Sequence, residues 1–492
     1  MVRNYEPGMG DTADVVVVGF GAAGAAAALE ASRRGASVVV VEKQPAEQHT
    51  PSTRMSGGIV MTATDADIAT RYLDACAGGM VPESVSRAWA EAATGLLDWL
   101  AEQQVALTLT ACGGAEHPAL PGAEAIRTVQ PGAARRLDPS GGAGPALWRA
   151  LLDAVQARDG VEVRWSRPAR QLVRDGDRVV GVEVATPQGG REVVLARTGV
   201  VLSCGGYEFD EDLKRDHLRT YPVHFYGNPG NTGDGVRMAQ DVGADLWHMN
   251  QMIGRAIAHV ELDDGTPQGF IINIDPPGYV ITDRAGRRFT DEEPQARLLH
   301  GFYYELLAFD ADAGRYPRNP CYWFFDDRRR TAGPLTYPHI GACAVGRYTW
   351  SPDNSAEIER GWIAVGDTPA DAARAAGVED PEAAEQSIAA YNRACEHGHD
   401  PLGRPADTLV PLEGPPYYCM PLWPGGSNTT GGPRRDEHGR ILDVFGSVIP
   451  GLYGAGELGR ASGLLYPADG SNISEALCFG RLTVTHALGS GA

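Results

Sequence analysis

Close to the C-terminal end, Tyr466-Pro-Ala-Asp-Gly470 sets a phenol four residues from a glycine amide. An O–H and an N–H at that spacing can converge on one carbonyl oxygen and hold the charge it gains on becoming an enolate. A carboxylate substrate would call for cations instead, each charge-assisted contact being worth roughly 1.5–3 kcal/mol. The stretch Gly463-Leu-Leu-Tyr466-Pro-Ala-Asp-Gly470-Ser-Asn472 holds neither His nor Arg. The chemistry on offer is activation of carbon next to a ketone: a base takes the α proton and a hydride leaves from the β carbon. Asp469 is expected to point away, because a carboxylate beside an enolate oxygen is unfavourable.

Such chemistry needs a hydride acceptor, and the N-terminal elements supply one. Asp14 to Val18 form an apolar β-branched run, as a buried parallel strand does. Gly19-Phe-Gly21-Ala22-Ala23-Gly24 follows, then a helix of small residues over Ala25 to Arg34 that Gly35 stops, then a second buried strand over Ala36 to Val41. Glu42 and Lys43 close it. This is the full dinucleotide-binding unit. Gly19 turns the chain, Gly21 admits a pyrophosphate, Gly24 lets helix and strand approach, the helix N-terminus faces the phosphate charge, and Glu42 accepts from a ribose diol. Further small-residue segments suit a flavin ring: Ser56-Gly57-Gly58, Ser203-Cys-Gly205-Gly206, and the strand Ile449 to Ala455 running into Gly456-Glu457. Ser471, Asn472 and Ile473 open a helix reaching Ala487, whose N-terminus could face the N1–C2 carbonyl edge of a flavin. FAD rather than NAD is the cofactor these segments imply.

The chain has 492 residues, 43% hydrophobic and 22% charged, ordinary for a globular protein of two or three structural units. Sixty-three acids against 43 Lys plus Arg give −20, which argues against nucleic acid or anionic membrane as a partner. No apolar run reaches the roughly 18–20 residues of a transmembrane segment, and no signal peptide is evident. The eight cysteines form no CxxC pattern and read as reduced thiols of a cytoplasmic protein, with no metal site.

Residues 1–13 read as a loose arm. Val161 to Val173 and Val179 to Ala185 alternate like strands, joined by an Asp-Gly turn at 175–176. From Gly269 to about Pro415 the texture turns aromatic and proline-rich and loses the βαβ rhythm, with surface helices over Asp371 to Gly377 and Glu382 to His397. The expected organisation is an FAD domain over 1–265, an inserted substrate domain over 266–415, and the rest of the FAD domain over 416–492.

Together with Asn231-Thr-Gly-Asp-Gly235, Gly286-Arg-Arg-Phe-Thr-Asp-Glu292, Asn428-Thr-Thr-Gly-Gly432 and Phe479-Gly-Arg481, these segments resemble the fumarate reductase and 3-ketosteroid dehydrogenase superfamily of FAD enzymes over almost the whole chain. The likeness is nearest to the ketosteroid dehydrogenase branch. It implies an α/β Rossmann-like FAD-binding domain of the glutathione-reductase type with an inserted α+β capping domain. Dicarboxylate reductases carry a His where Asn428 and Thr429 stand here, so fumarate and succinate are poor candidates. In the ketosteroid branch the Tyr of Tyr-Pro-x-x-Gly and the Gly amide bind the ketone oxygen, and Tyr466 and Gly470 match. The implied activity is desaturation of a ring ketone with hydride transfer to flavin N5; the alternatives are an enone or enoate reductase and a catalytically silent flavin-binding protein. The partners would be a small cyclic ketone or enone and an electron acceptor or donor such as a quinone, oxygen or a carrier protein.

The family's base is a capping-domain Tyr shortly after Arg-Phe-x-Asn-Glu. Here Glu293-Pro294-Gln295 breaks that step, and Tyr303 and Tyr304 follow, Tyr304 preferred, with His300 or Arg297 to stabilise a phenolate and Tyr337 more distant. The family's second pocket Tyr has no match; His117 and Arg127 occupy its region, which weakens a steroid more than a ketone. Covalent members carry a His six residues before Gly57-Gly58. That place is Pro51, with His49 out of register, so the FAD is expected to be non-covalent.

Overall fold

A computed structural model of the chain describes residues 3–6, 8–132, 142–296 and 300–489. They form two compact units, one of Met1–Leu213, Asn228–Met252 and Asn428–Ala492, the other of Lys214–Gly227 and Ile253–Ser427.

The first unit is built on the run Val15–Val18, which is fully or almost fully buried. A strand wet on neither face reads as continuous valine, and it lies at the centre of a parallel sheet. Asp11–Val18 pairs in parallel with Val38–Val41 on one side and Arg191–Leu202 on the other. Val161–Arg164 extends the sheet beyond Val38–Val41, and Val448–Gly454 also pairs in parallel with Arg191–Leu202. The helix Ala22–Arg33 is buried all round, with Ala25, Ala26, Ala27, Ala28 and Leu29 having no exposed surface, and it packs against both this sheet and the helix Ser471–Gly489. Small residues are needed here: a Cβ on Gly480 of the helix Ser471–Gly489 would lie 2.4 Å from the Ala23 carbonyl oxygen. A second sheet of Val60–Ala63, Ile126–Pro131 and Leu109–Gly113 stands beside it.

Two local expectations are corrected. The N-terminal arm is not loose throughout, since Arg3–Asn4 pairs in parallel with Val173 and Arg174 and Arg3 makes an ion pair with Glu183. The alternating stretch from Val161 is two strands, Val161–Arg164 and Ala169–Asp175. Pro168 has no N–H to give a ladder, and Ser166 adopts φ 55°, so the chain leaves the parallel strand and returns to pair antiparallel with Arg178–Ala185.

The second unit holds a seven-stranded sheet whose central strand, Tyr417–Thr429, pairs with Cys321–Asp326 and, at its N-terminal end, with Ala364–Gly366. Trp323, Phe324 and Phe325 are wholly buried and Trp350 nearly so, as the aromatic texture predicts. The helices Pro369–Ala376 and Pro381–His397 are capped by Thr368 and Asp380. The Gly286–Glu292 segment serves a buried ion cluster: Arg288 pairs with Glu292 at 2.7 Å and Asp400 at 2.8 Å, while Arg404 reaches Glu292 at 3.4 Å and Glu293 at 3.1 Å.

Candidate active site

The site is assembled in the first unit from segments spread along the chain. At the fingerprint, a Cβ on Gly19 would lie 2.6 Å from the Cys204 Cα, and one on Gly24 would lie 2.2 Å from the Gly19 carbonyl oxygen. Strand, turn and helix therefore close up as the spacing predicts. Gly21 differs: a Cβ there would meet only side chains, Thr53 Oγ1 at 3.6 Å and Pro51 Cβ at 4.0 Å. That open approach to the backbone is what a pyrophosphate uses. The Ala22 N–H donates to Thr53 Oγ1 at 2.9 Å, and Ala23 packs beside Gly456, whose Cβ would stand 3.2 Å from its own.

Glu42 is buried, and its two oxygens accept from the Phe20 and Gln44 amides, each at 2.8 Å. Each oxygen keeps a further lone pair, so the carboxylate can still take both hydroxyls of a ribose. Burial pushes its carboxyl up, but the hydrogen bond and charge of His49 and the two amides more than offset this and hold it below the ordinary value. His49, set aside on register, proves to be part of this place. It is 4% exposed, lies 3.6 Å from Glu42, stacks on Phe20 and meets the edges of Trp148 and Trp165, and its Nδ1 has no partner. Nothing in a lone out-of-register His signalled this; the aromatic neighbours come from the helix Ala143–Gln156 and the turn before Pro168.

Lys43 Nζ reaches Asp234 at 2.7 Å and Thr232 at 2.9 Å, joining the segment after the second strand to the turn at Gly233. Ser56 Oγ donates to the Thr53 carbonyl at 2.8 Å and accepts the Gly58 N–H at 3.0 Å, which shapes the turn Ser56-Gly57-Gly58. Ser203 Oγ donates to the Val18 and Gly19 carbonyls, tying the third glycine segment to the first. Next to it, a Cβ on Gly205 would lie 2.5 Å from Asn231 Oδ1. Asn231 Nδ2 donates to Glu457 at 3.1 Å and to Ser52 Oγ at 3.2 Å. Burial and the charge of Glu208 push the Glu457 carboxyl up to about 8, and burial also raises Glu208.

The last segment holds Tyr466 and Gly470. Tyr466 is buried, and Gly470 has φ +78°, where a Cβ would lie 2.4 Å from the Ile59 carbonyl oxygen. The Gly470 carbonyl accepts from Met61, while its N–H donates to no acceptor among the described residues. Ser471 begins the helix Ser471–Gly489; Asn472 donates to Asn428 at 2.7 Å, and Ile473 lies buried in the first turn. Burial raises the Tyr466 phenol well above its ordinary value, Asp469 adds to this, and Arg460 and a hydrogen bond with Ser471 pull the other way. The carboxylate of Asp469 therefore acts on Tyr466 instead of standing clear of it. Arg460 is the second residue that sequence reasoning missed; it lies just before the cation-free stretch that begins at Gly463. His117 is anchored nearby through its N–H to Tyr72 Oη at 3.1 Å, and Tyr72 donates to the Pro467 carbonyl at 2.6 Å. Arg127 instead turns to the carbonyls of Glu124 and Ile126.

The other candidates lie in the second unit. Tyr303 and Tyr304 belong to the short helix Phe302–Glu305, with ring centroids 5.7 Å apart. Burial raises both phenols, and in each case the Arg219 guanidinium works against it. The Tyr303 hydroxyl is buried without a hydrogen bond. Arg219 thus supplies the cation sought in His300 or Arg297; Arg297 lies outside the described residues. Tyr337 stands beside His339, 6.0 Å between rings.

A glycine cradle open at Gly21, a ribose-ready carboxylate at Glu42 and a second acid at Glu457 fit FAD. The chain matches the FAD binding domain family over residues 14–473 and belongs to it. It is an FAD-dependent oxidoreductase. Among similar proteins, the 3-oxosteroid 1-dehydrogenase of Mycobacterium tuberculosis H37Rv is 28% identical over 96% of this chain and 98% of that protein. The 4-oxocyclohexanecarboxylate 2-dehydrogenase of Sinomonas cyclohexanicum is 26% identical over 96% of this chain and 92% of its own length. The crystal structure of 3-ketosteroid delta1-dehydrogenase from Sterolibacterium denitrificans, in complex with 1,4-androstadiene-3,17-dione, superposes with a TM-score of 0.83 at 25% identity, covering 98% of this chain and all of that one. Among the described residues no helix is long and apolar enough to cross a membrane, and no cluster of ligands could hold a metal ion.

Proposed function

We propose that this oxidoreductase desaturates a C–C bond α,β to a ketone in a ring. The observation that carries the reading is the loop before Ser471, where a buried phenol and an unengaged glycine amide stand at the two ends of Tyr466–Gly470. Tyr466 Oη and Gly470 N–H donate to the ketone oxygen, so the α proton becomes acidic as charge moves onto that oxygen. Bound FAD supplies the acceptor for the hydride from the β carbon. The relatives named above as dehydrogenases of cyclic ketones support this substrate class.

Tyr304 is our choice for the base, with Tyr303 the alternative. A phenol takes a proton only as phenolate, and the Arg219 guanidinium favours that form at both residues. Tyr303 is the more deeply buried, which favours its neutral form. The cofactor is held non-covalently, through Gly19, Gly21, Gly24, Glu42 and Glu457, with Lys43 and Asp234 bracing the turn.

The test is Tyr466→Phe. Losing one of two donors to a developing enolate should lower kcat on the order of 10²–10³-fold while FAD stays bound. Near-normal turnover of a cyclic ketone with an artificial electron acceptor would reduce Tyr466 to a packing role and remove the reading. Bleaching of the bound FAD by the ketone alone would mark the desaturating direction; reoxidation of reduced enzyme by an enone would mark the reverse.

A further inference from the structure

Arg460 follows the Gly456-Glu457 turn, and none of its side chain reaches the surface. Its guanidinium lies 5.5 Å from the Tyr466 ring centroid and 5.6 Å from that of Trp89. Nη2 donates to Ser471 Oγ at 2.8 Å. Nε and Nη1 have no partner. The carboxylates around it make their contacts elsewhere. Glu475 Oε1 is taken by Arg435 at 2.6 Å and the Ala461 amide at 3.2 Å, while its Oε2 bonds to none of the described residues, Arg460 included; Glu457 is taken by Ser52 and Asn231. Among the described residues, then, Arg460 makes no ion pair.

An unpaired buried guanidinium is costly, because taking the charge from water is not repaid by a counter-ion. Burial works against its proton, while Tyr466, Glu475 and Glu457 help to hold it and Arg435 opposes it. With no atom at the surface, it is no grip for a substrate carboxylate. What it can do is act on the Tyr466 ring beside it. A cation held next to a phenol away from water makes its O–H a stronger donor.

We infer that Arg460 is a positioning residue whose charge beside the Tyr466 ring tunes the phenol to hold an oxyanion in preference to a neutral carbonyl oxygen. Its charge is the counterweight to the enolate that forms at Tyr466 and Gly470. The inference rests on the ketone-site reading above. Asp469 and Glu116 raise the phenol and work against this tuning, so the cation has a definite load to offset.

A phenolate mimics a cyclic enolate, and 4-nitrophenol reports its own ionisation by absorbance. Titrated into the FAD-loaded enzyme, it should bind as the phenolate, with its apparent pKa lowered by about one unit or more, a tenfold preference per unit. Arg460→Met should abolish that preference and weaken phenolate binding about tenfold or more, the loss of a charge-assisted contact. Arg460→Lys, which keeps a cation, should retain most of it. Tyr466→Phe should lose binding. If Arg460→Met keeps the wild-type preference while Tyr466→Phe loses it, the ketone site stands and the role of Arg460 is overturned. If Tyr466→Phe binds as well as wild type, the ketone reading fails and takes the inference with it. Should Arg460→Met not fold, the wild-type titration decides, because binding of the neutral phenol overturns the inference without any variant.

Discussion

Glu42 and Glu457 are both buried acids of the cofactor site, yet their environments push them in opposite directions. Glu42 has two amides and His49 to hold its charge and stays low. Glu457 shares its surroundings with Glu208 and rises to about 8. A carboxyl raised in the folded protein contributes stability that is fully present below its unfolded value of 4.5 and is lost as pH rises through about 8. The melting temperature of the FAD-free protein should therefore fall across that window, and Glu457→Gln should flatten the fall, as differential scanning calorimetry at several pH values would reveal. An unchanged profile in the variant would mean that Glu457 ionises normally. Glu42→Ala removes a bidentate, charge-assisted contact to a ribose, and FAD affinity should fall about tenfold or more; fluorescence of released flavin gives the dissociation constant.

At the scale of the elements, two substitutions separate the roles of two motifs. Gly24→Ala would drive a Cβ to 2.2 Å from the Gly19 carbonyl oxygen, a backbone atom that cannot swing aside. Helix Ala22–Arg33 must then lift from the turn, with an expected loss of about 2 kcal/mol or more and of FAD retention. The Gly286–Glu292 segment does a different job. Arg404 is wholly buried against Glu292 and Glu293, so Arg404→Met takes from Glu293 its cation at 3.1 Å, while Glu292 keeps Arg288. The expected cost is about 3–5 kcal/mol, read by urea denaturation, with no direct loss of a cofactor contact.

For the molecule as a whole, the manner of holding FAD decides what survives unfolding. Pro51 stands where covalent relatives carry His, and His49 is committed to Glu42 and to three aromatic rings. Acid precipitation should release all the yellow colour to the supernatant as a flavin containing AMP. Colour retained by the pellet would overturn the register argument.

How much of this could be read along the chain depends on how local its cause is. The strand Asp11–Val18, the helix Ala22–Arg33 and the strand Val38–Val41 were legible because valine runs and close-set glycines act within a few residues. So were the aromatic core at Trp323–Phe325 and the helix opening at Ser471. Interactions between distant segments were not. Arg3–Asn4 is a strand only because Val173 and Arg174 offer an edge, and Pro168 ends a strand that alternation alone would continue. Arg219 serves Tyr303 and Tyr304 from far earlier in the chain. The excursion of Lys214–Gly227 into the second unit leaves no mark in composition. Periodicity and spacing thus sufficed for the cofactor class, and they singled out the pair Tyr466 and Gly470 on which the proposal rests. The charge around that pair is a property of folding: Trp89, Arg460 and Ser471 meet only when helices far apart in sequence enclose them, and burial then sets an unremarked Arg beside the phenol, against the charge of Asp469.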